Sequence, residues 1–166
     1  HPNPVCLQAN ALFTMAIAHA IASGCEAGKL YQNIKQWAAD LAADSALMDA
    51  IHGAAEAPPD DYVQQQGWVL IAFRNALWQL LNAPSFEAGV VDTVMRGGDT
   101  DTNAAICGAL LGAVYGLDAI PAQWVERVLN CRPKAEHPGV NRPRSECFWP
   151  VDALELATQL ISTETK

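Results

Sequence analysis

Residues 97 to 116 read Gly97-Gly98-Asp99-Thr100-Asp101-Thr102-Asn103-Ala104-Ala105-Ile106-Cys107-Gly108-Ala109-Leu110-Leu111-Gly112-Ala113-Val114-Tyr115-Gly116. The paired glycines break any helix before them and open backbone angles closed to other residues. A new helix is expected from about Thr102 to Gly116, with no alternating β pattern inside it. Gly108, Gly112 and Gly116 recur every fourth residue among Ala104, Ala105, Ala109 and Ala113. Such a small-residue ridge admits a close neighbouring helix, so this helix is expected among the most buried of an all-α protein.

The flanks agree with that reading. Ser85 is placed to cap a helix running to about Arg96. Upstream, Tyr62 to Leu81 carries Val69, Phe73, Leu77 and Leu80 on one face. A helix over 26–43 and a shorter one over 45–53, capped by Ser45, precede the Pro58-Pro59-Asp60-Asp61 loop. Pro4 opens the first helix, which carries Leu7, Ala11, Ala18 and Ile21 at helical spacing and ends at Gly24. Downstream, Pro121 starts a short helix to about Asn130, residues 131–149 are irregular, and Pro150 starts a last helix through Ile161. Trp37, Trp78 and Trp124 are expected as core anchors.

Composition narrows the function classes. A chain of 166 residues fits one compact domain, and 51% hydrophobic with 17% charged residues excludes a disordered chain. A net charge of −8 with scattered Lys and Arg argues against nucleic-acid binding. The longest apolar run, 104–117, is too short to span a bilayer, so no membrane role is expected. Cys6, Cys25, Cys107, Cys131 and Cys147 form no CxxC pair and are odd in number, which points to reduced thiols and a cytoplasmic location. The chain opens without Met on His1-Pro2-Asn3-Pro4, which reads as a loop cut in the middle, with an N-terminal part missing.

The chemistry concentrates at Asp99, Asp101 and Thr102. Two carboxylates and a hydroxyl within four residues, between apolar segments, are expected in or near the core. Carboxylates so placed repel unless a cation or protons neutralise them. All-oxygen donors favour Mg²⁺, Mn²⁺ or Ca²⁺. The competing reading is an Asp helix cap with a solvated Asp beside it. His19 reads as a packed or surface residue, Asp60, Asp61 and Asp92 as caps or solvated charges, and Cys107 as inert core.

The stretch from Ser85 to Gly116 resembles the C-terminal signature of the ADP-ribosylglycohydrolases. His1-Pro2-Asn3-Pro4, Gly67-Trp68-Val69 with Ala76-Leu77-Trp78, and Trp149-Pro150-Val151-Asp152-Ala153 resemble the same family. The resemblance implies a compact orthogonal helical bundle, with 1–166 as the C-terminal portion of one domain. It implies hydrolysis of the N- or O-glycosidic bond between ADP-ribose and a modified acceptor, using two divalent cations, Mg²⁺ or Mn²⁺. Asp99, Asp101 and Thr102 match the family's C-terminal metal ligands. His1, Gly67, Trp68 and Gly98 match residues facing the ADP-ribosyl group, with Trp68 where the family carries Tyr. The family's N-terminal Gly-Asp-Ala-Leu-Gly segment, its catalytic Glu and its Thr-Asp-Asp ligands have no counterpart here. No catalytic residue is therefore assigned, and a complementary N-terminal chain is expected as partner, beside an ADP-ribosylated protein or ADP-ribose derivative as substrate. The alternative is a non-catalytic helical module of the same fold that binds a nucleotide or a protein.

Overall fold

The computed structural model describes residues 2–162. Among them all regular structure is helical, as the sequence predicts. The chain divides into two compact units, 1–119 and 120–166.

The first unit holds α1 (Pro4–Ser23), α2 (Ala27–Asp40), α3 (Ser45–Gly53), α4 (Val69–Asn82), α5 (Phe86–Met95) and α6 (Thr100–Tyr115). Local chemistry sets the ends. Asn3 accepts at its Oδ1 from the backbone N–H of Val5 at 2.8 Å, Pro4 fills the first helical position, and Gly24 closes α1 at φ +60. The cap of α3 is Asp44 rather than Ser45: its carboxylate accepts from the N–H of Ala46 at 2.9 Å. Ser85 caps α5 as expected, accepting from Ala88.

Helix α4 is the hub, packed against α1, α2, α3, α5 and α6. It buries Leu70, Ala72, Phe73, Ala76, Leu77 and Leu80 together with the polar Asn75 and Gln79. It starts seven residues later than the sequence reading has it, because 62–68 form a turn. Ahead of that turn, Arg74 of α4 holds the end of the α3 segment, its Nε donating to the carbonyl of Ala57 at 3.2 Å. The fully buried large side chains are mostly aliphatic, Leu12, Leu30, Ile34, Leu47, Ile51, Leu77, Leu80, Leu110 and Leu111. The tryptophans expected as anchors are only half-buried.

Tertiary packing sets two helix faces, and the second corrects an expectation. Leu7, Ala11, Ala18 and Ile21 lie on the outward face of α1; the face turned to the core is Val5, Ala9, Leu12, Ala16 and Ala20. Both stripes are apolar, so periodicity could not choose between them. By length and composition α1, with a mean hydropathy of 1.5, could also cross a membrane. Helix α6 packs against α1, α4 and α5 but buries only Asn103, Cys107, Leu110 and Leu111, leaving Ala105 and Ala109 exposed. Its glycine ridge meets no close backbone. A Cβ at Gly112 would sit 3.7 Å from Phe86, and one at Gly116 would meet nothing within 4 Å. The tight approach is Gly89 of α5, where a Cβ would lie 2.5 Å from Leu111 Cδ1 and 3.0 Å from Ala83 Cβ.

The second unit holds α7 (Ala122–Leu129), short 3₁₀ turns at Glu146–Phe148 and Pro150–Asp152, and α8 (Ala153–Ser162). Its coil is gathered at Trp149, whose Nε1 donates to the carbonyl of Arg144 at 3.0 Å while Lys134 and Arg132 lie over the ring.

The packing has a direct test. Gly89→Val should cost about 1–3 kcal/mol through overpacking against Leu111. Gly112→Ala should be neutral or stabilise by up to about 1 kcal/mol, since Ala has the better helix propensity and the space is open. Urea unfolding followed by circular dichroism separates the two; equal losses would mean that the ridge of α6 is the tight contact after all.

Candidate metal and substrate site

The turn before α6 is built from backbone constraints. Gly97 and Gly98 have φ of +81 and +71, the left-handed region that side chains rarely adopt. At Gly98 space is a second constraint: an added Cβ would fall 1.8 Å from the carbonyl oxygen of Tyr62. The backbone of Gly98 thus lies directly on that of Tyr62. Beyond it, Asp99 takes the cap position of α6 and Asp101 and Thr102 lie in its first turn.

Tyr62 is itself held firmly. It is 5% exposed, and its hydroxyl donates to Asn75 Oδ1 at 2.7 Å. Asn75 Nδ2 donates to Thr93 Oγ1 at 2.9 Å, and the Thr93 hydroxyl donates to the carbonyl of Gly89 at 2.8 Å. Burial pushes the Tyr62 phenol up to about 12, so it stays a neutral donor. On its other side the Arg96 guanidinium lies 5.6 Å from the ring centre and pairs with Asp92 at 2.7 Å. Asp92 also accepts from Gln79. A connected polar network therefore links α4 and α5 to the residue beneath the glycine turn. Sequence reasoning missed it, placing Tyr62 at a helix start and reading Asp92 as solvated. The available signal was Asn75 and Gln79, four residues apart on the apolar side of α4.

The acidic residues are less enclosed than expected. Asp99 is half-buried, and Asp101 and Thr102 are exposed. The start of α6 meets solvent, where free helix N–H groups are hydrated and carboxylates are tolerated. The Asp101 carboxyl is held below its ordinary range, first by its hydrogen bond with the Asp99 side chain and then by the N–H groups of Asp101 and Thr102. Two carboxyls this close need a shared proton or a cation. Their oxygens, with the Thr102 hydroxyl, suit a hard divalent ion. They are also too few for one: the described residues contain no cluster of three or more His, Cys, Asp or Glu able to hold a metal. Next to the turn, Asn103 is 1% exposed and its Nδ2 donor has no hydrogen-bond partner, an orphan that buried amides rarely show.

Trp68 belongs to a different feature. It is half-buried and lines a cavity of about 460 Å³ with Asp49, Asp60, Asp61, Gln64 and Arg74. Gly67 beside it is exposed, with open space where a Cβ would lie. No residue of the 97–102 turn lines that cavity. Within it Asp61 caps its own turn, accepting from Val63 N–H at 2.7 Å. His1 lies outside the described residues. His19 is a packed residue, edge-on to Trp37 at 5.5 Å with Asn33 Nδ2 at 3.1 Å from its ring nitrogen.

With this geometry in hand, comparison with known proteins is decisive. The ADP-ribosylglycohydrolase family model matches residues 1–158. The chain belongs to the ADP-ribosylglycohydrolase family. A protein of Acanthamoeba polyphaga mimivirus, provisionally named an ADP-ribosyl glycohydrolase, is 29% identical over 145 residues, covering 80% of this chain and 43% of the relative. The ADP-ribosylarginine hydrolase of Pseudomonas putida is 34% identical over 68 residues, 41% of this chain and 18% of that protein. The ADP-ribosyl-[dinitrogen reductase] glycohydrolase of Rhodospirillum rubrum is 32% identical over 65 residues, 39% of this chain and 22% of that protein. This ADP-ribosylglycohydrolase chain thus spans less than half the length of each of these relatives. No solved structure matches it.

Two outcomes follow from the site's construction. Gly97→Ala should cost about 1–2 kcal/mol for its left-handed backbone alone, and Gly98→Ala clearly more, because the Tyr62 carbonyl must also move; thermal unfolding gives the order. Burial pushes the Cys107 thiol up to about 11. It should therefore stay unreactive toward a thiol reagent at pH 8 in the folded protein, while the exposed Cys131 and Cys147 are labelled. Peptide mapping of the labelled protein would read this.

Proposed function

We propose that this chain is the metal-binding part of a hydrolase that removes ADP-ribose from a modified acceptor by cleaving an N- or O-glycosidic bond. The observation that carries the reading is the 97–102 turn. Two hydrogen-bonded carboxylates, with Thr102 next in the first turn, stand at the open end of α6 behind a backbone that only glycine tolerates. A surface helix cap would have no need of that constraint. Family membership and the names of the relatives support ADP-ribosylated molecules as the substrate class.

On this reading Asp99, Asp101 and Thr102 would hold divalent cations, Mg²⁺ or Mn²⁺, two in number. Such ions, when bound, supply Lewis-acid polarisation and a water of lowered pKa. The two carboxylates provide the charge that attracts them, and Thr102 adds an oxygen without adding charge. The hydrogen bond with the Asp99 side chain, and after it the N–H groups of Asp101 and Thr102, hold the Asp101 carboxyl below its ordinary range. Trp68 offers a ring for stacking, and His1, Gly67 and Gly98 are proposed to face the ADP-ribosyl group beside it. The remaining ligands and the acid–base group come from the part of the family domain outside this chain, as a complementary segment. Free thiols at all five cysteines suit a cytoplasmic setting.

The experiment is metal titration and ADP-ribose release from an ADP-ribosylarginine substrate, using the chain together with that complementary segment. Asp101→Ala should abolish turnover and Asp101→Asn should weaken metal binding at least about tenfold. Both should unfold at the wild-type temperature because Asp101 is exposed. Asp118→Asn, on an exposed turn, serves as the control. Wild-type activity and metal affinity in Asp101→Ala would reduce the turn to a helix cap.

A further inference from the structure

Lys and Arg are sparse in this acidic chain, yet five of the ten fall between 127 and 144: Arg127, Arg132, Lys134, Arg142 and Arg144. Glu136 is the one acid in that stretch. Within the second unit a short turn gathers three of these cations. The N–H of Lys134 donates to the carbonyl of Arg132 at 2.8 Å, closing a three-residue turn whose central Pro133 has its φ preset for it. The Pro133 carbonyl accepts from the N–H of Arg144 at 3.0 Å, and the Arg144 carbonyl accepts from Trp149 Nε1 at 3.0 Å. Turn, Arg144 backbone and indole are thus fastened together. The two arms of the turn converge on the ring, with the Lys134 ammonium 5.1 Å and the Arg132 guanidinium 5.7 Å from its centre.

One cation is enough to use the attraction of an indole. Two held on the same indole repel each other, and neither has a carboxylate to offset this. Among the described residues the one ion pair is Arg96 with Asp92, although the chain carries 18 Asp and Glu. Arg132 donates from Nη1 alone, to the carbonyls of Leu129 and Cys131, and no described residue takes up the rest of its fork. Neighbouring cations with unspent N–H groups on a fastened turn have the chemistry of an anion site. We propose that Arg132 and Lys134, set over Trp149, bind a phosphate group. The oxygens of a phosphate point in several directions, so two can meet the planar Arg132 fork while a third meets the Lys134 ammonium. A carboxylate has only two oxygens and fills the fork alone. Free phosphate and a phosphomonoester both present the required group.

Heteronuclear NMR of the intact protein at fixed ionic strength tests this through the Trp149 indole N–H, assigned by its loss in Trp149→Phe. Inorganic phosphate and AMP should shift that resonance saturably, while chloride and adenosine leave it in place. A shift with only one of the two phosphates also supports the site and names its source. Arg132→Gln and Lys134→Gln should each weaken binding about tenfold, the loss of one charge-assisted contact. Arg132→Lys keeps a charge over the ring without the fork, so the free protein should show the wild-type indole resonance and still bind phosphate more weakly. Arg127→Gln removes an exposed charge of the same stretch outside the turn and should change the affinity by less than about twofold. The proposal is overturned if phosphate and AMP move nothing, if chloride acts as phosphate does, or if adenosine acts as AMP does. It is equally overturned if Arg127→Gln weakens binding as much as Arg132→Gln, since a diffuse positive field would then account for it.

Discussion

The function proposed for this molecule depends on one contact, the backbone of Gly98 lying on the carbonyl of Tyr62. Because no Cβ fits there, and because both glycines take left-handed angles, the chain can turn from α5 into α6 along only this path. That path sets where Asp99, Asp101 and Thr102 emerge. The support beneath it is polar and buried: Tyr62 to Asn75 to Thr93, with Arg96 and Asp92 closing over the ring. Buried polar groups of this kind are expensive unless all are paired. Here the chain from Tyr62 to Gly89 is paired at every step, which gives the acidic turn a rigid base although it faces solvent itself.

How much of this was legible in the sequence follows from which signals are local. The helical class, the cap at Ser85, the C-terminal Gly24 and the break at Gly97-Gly98 are all written in neighbouring residues and were readable. The faces of α1 were not. Leu7, Ala11, Ala18 and Ile21 keep helical spacing as well as Val5, Leu12 and Ala16 do, and only the tertiary packing of α1 shows which stripe reaches the core. The glycine ridge misled for a related reason. Gly108, Gly112 and Gly116 look like a contact surface, yet the close helix approach falls on Gly89, which no periodicity marks.

The site was legible as a motif and not as an environment. The Asp99 and Asp101 side chains hydrogen-bond to each other, but Asp99 is only half-buried and Asp101 and Thr102 lie at the surface of this chain rather than in its core, and the Trp68 cavity is lined by other residues. The network under Tyr62 escaped notice because it joins residues 13 and 18 apart in sequence through single side-chain bonds. Beside that motif the buried amide of Asn103 keeps a donor without a partner, and α1 keeps an apolar face turned outward, neither of which spacing alone signals.

The most direct measurement is anomalous X-ray diffraction at the manganese edge from crystals of the protein grown with Mn²⁺. The expected result is strong density at about 2.0–2.6 Å from oxygens of Asp99, Asp101 and Thr102, the range of hard-cation coordination. Manganese found only in the cavity at Asp49, Asp60 and Asp61, or nowhere in the ordered protein, would contradict the assignment of the glycine turn as the metal-binding element.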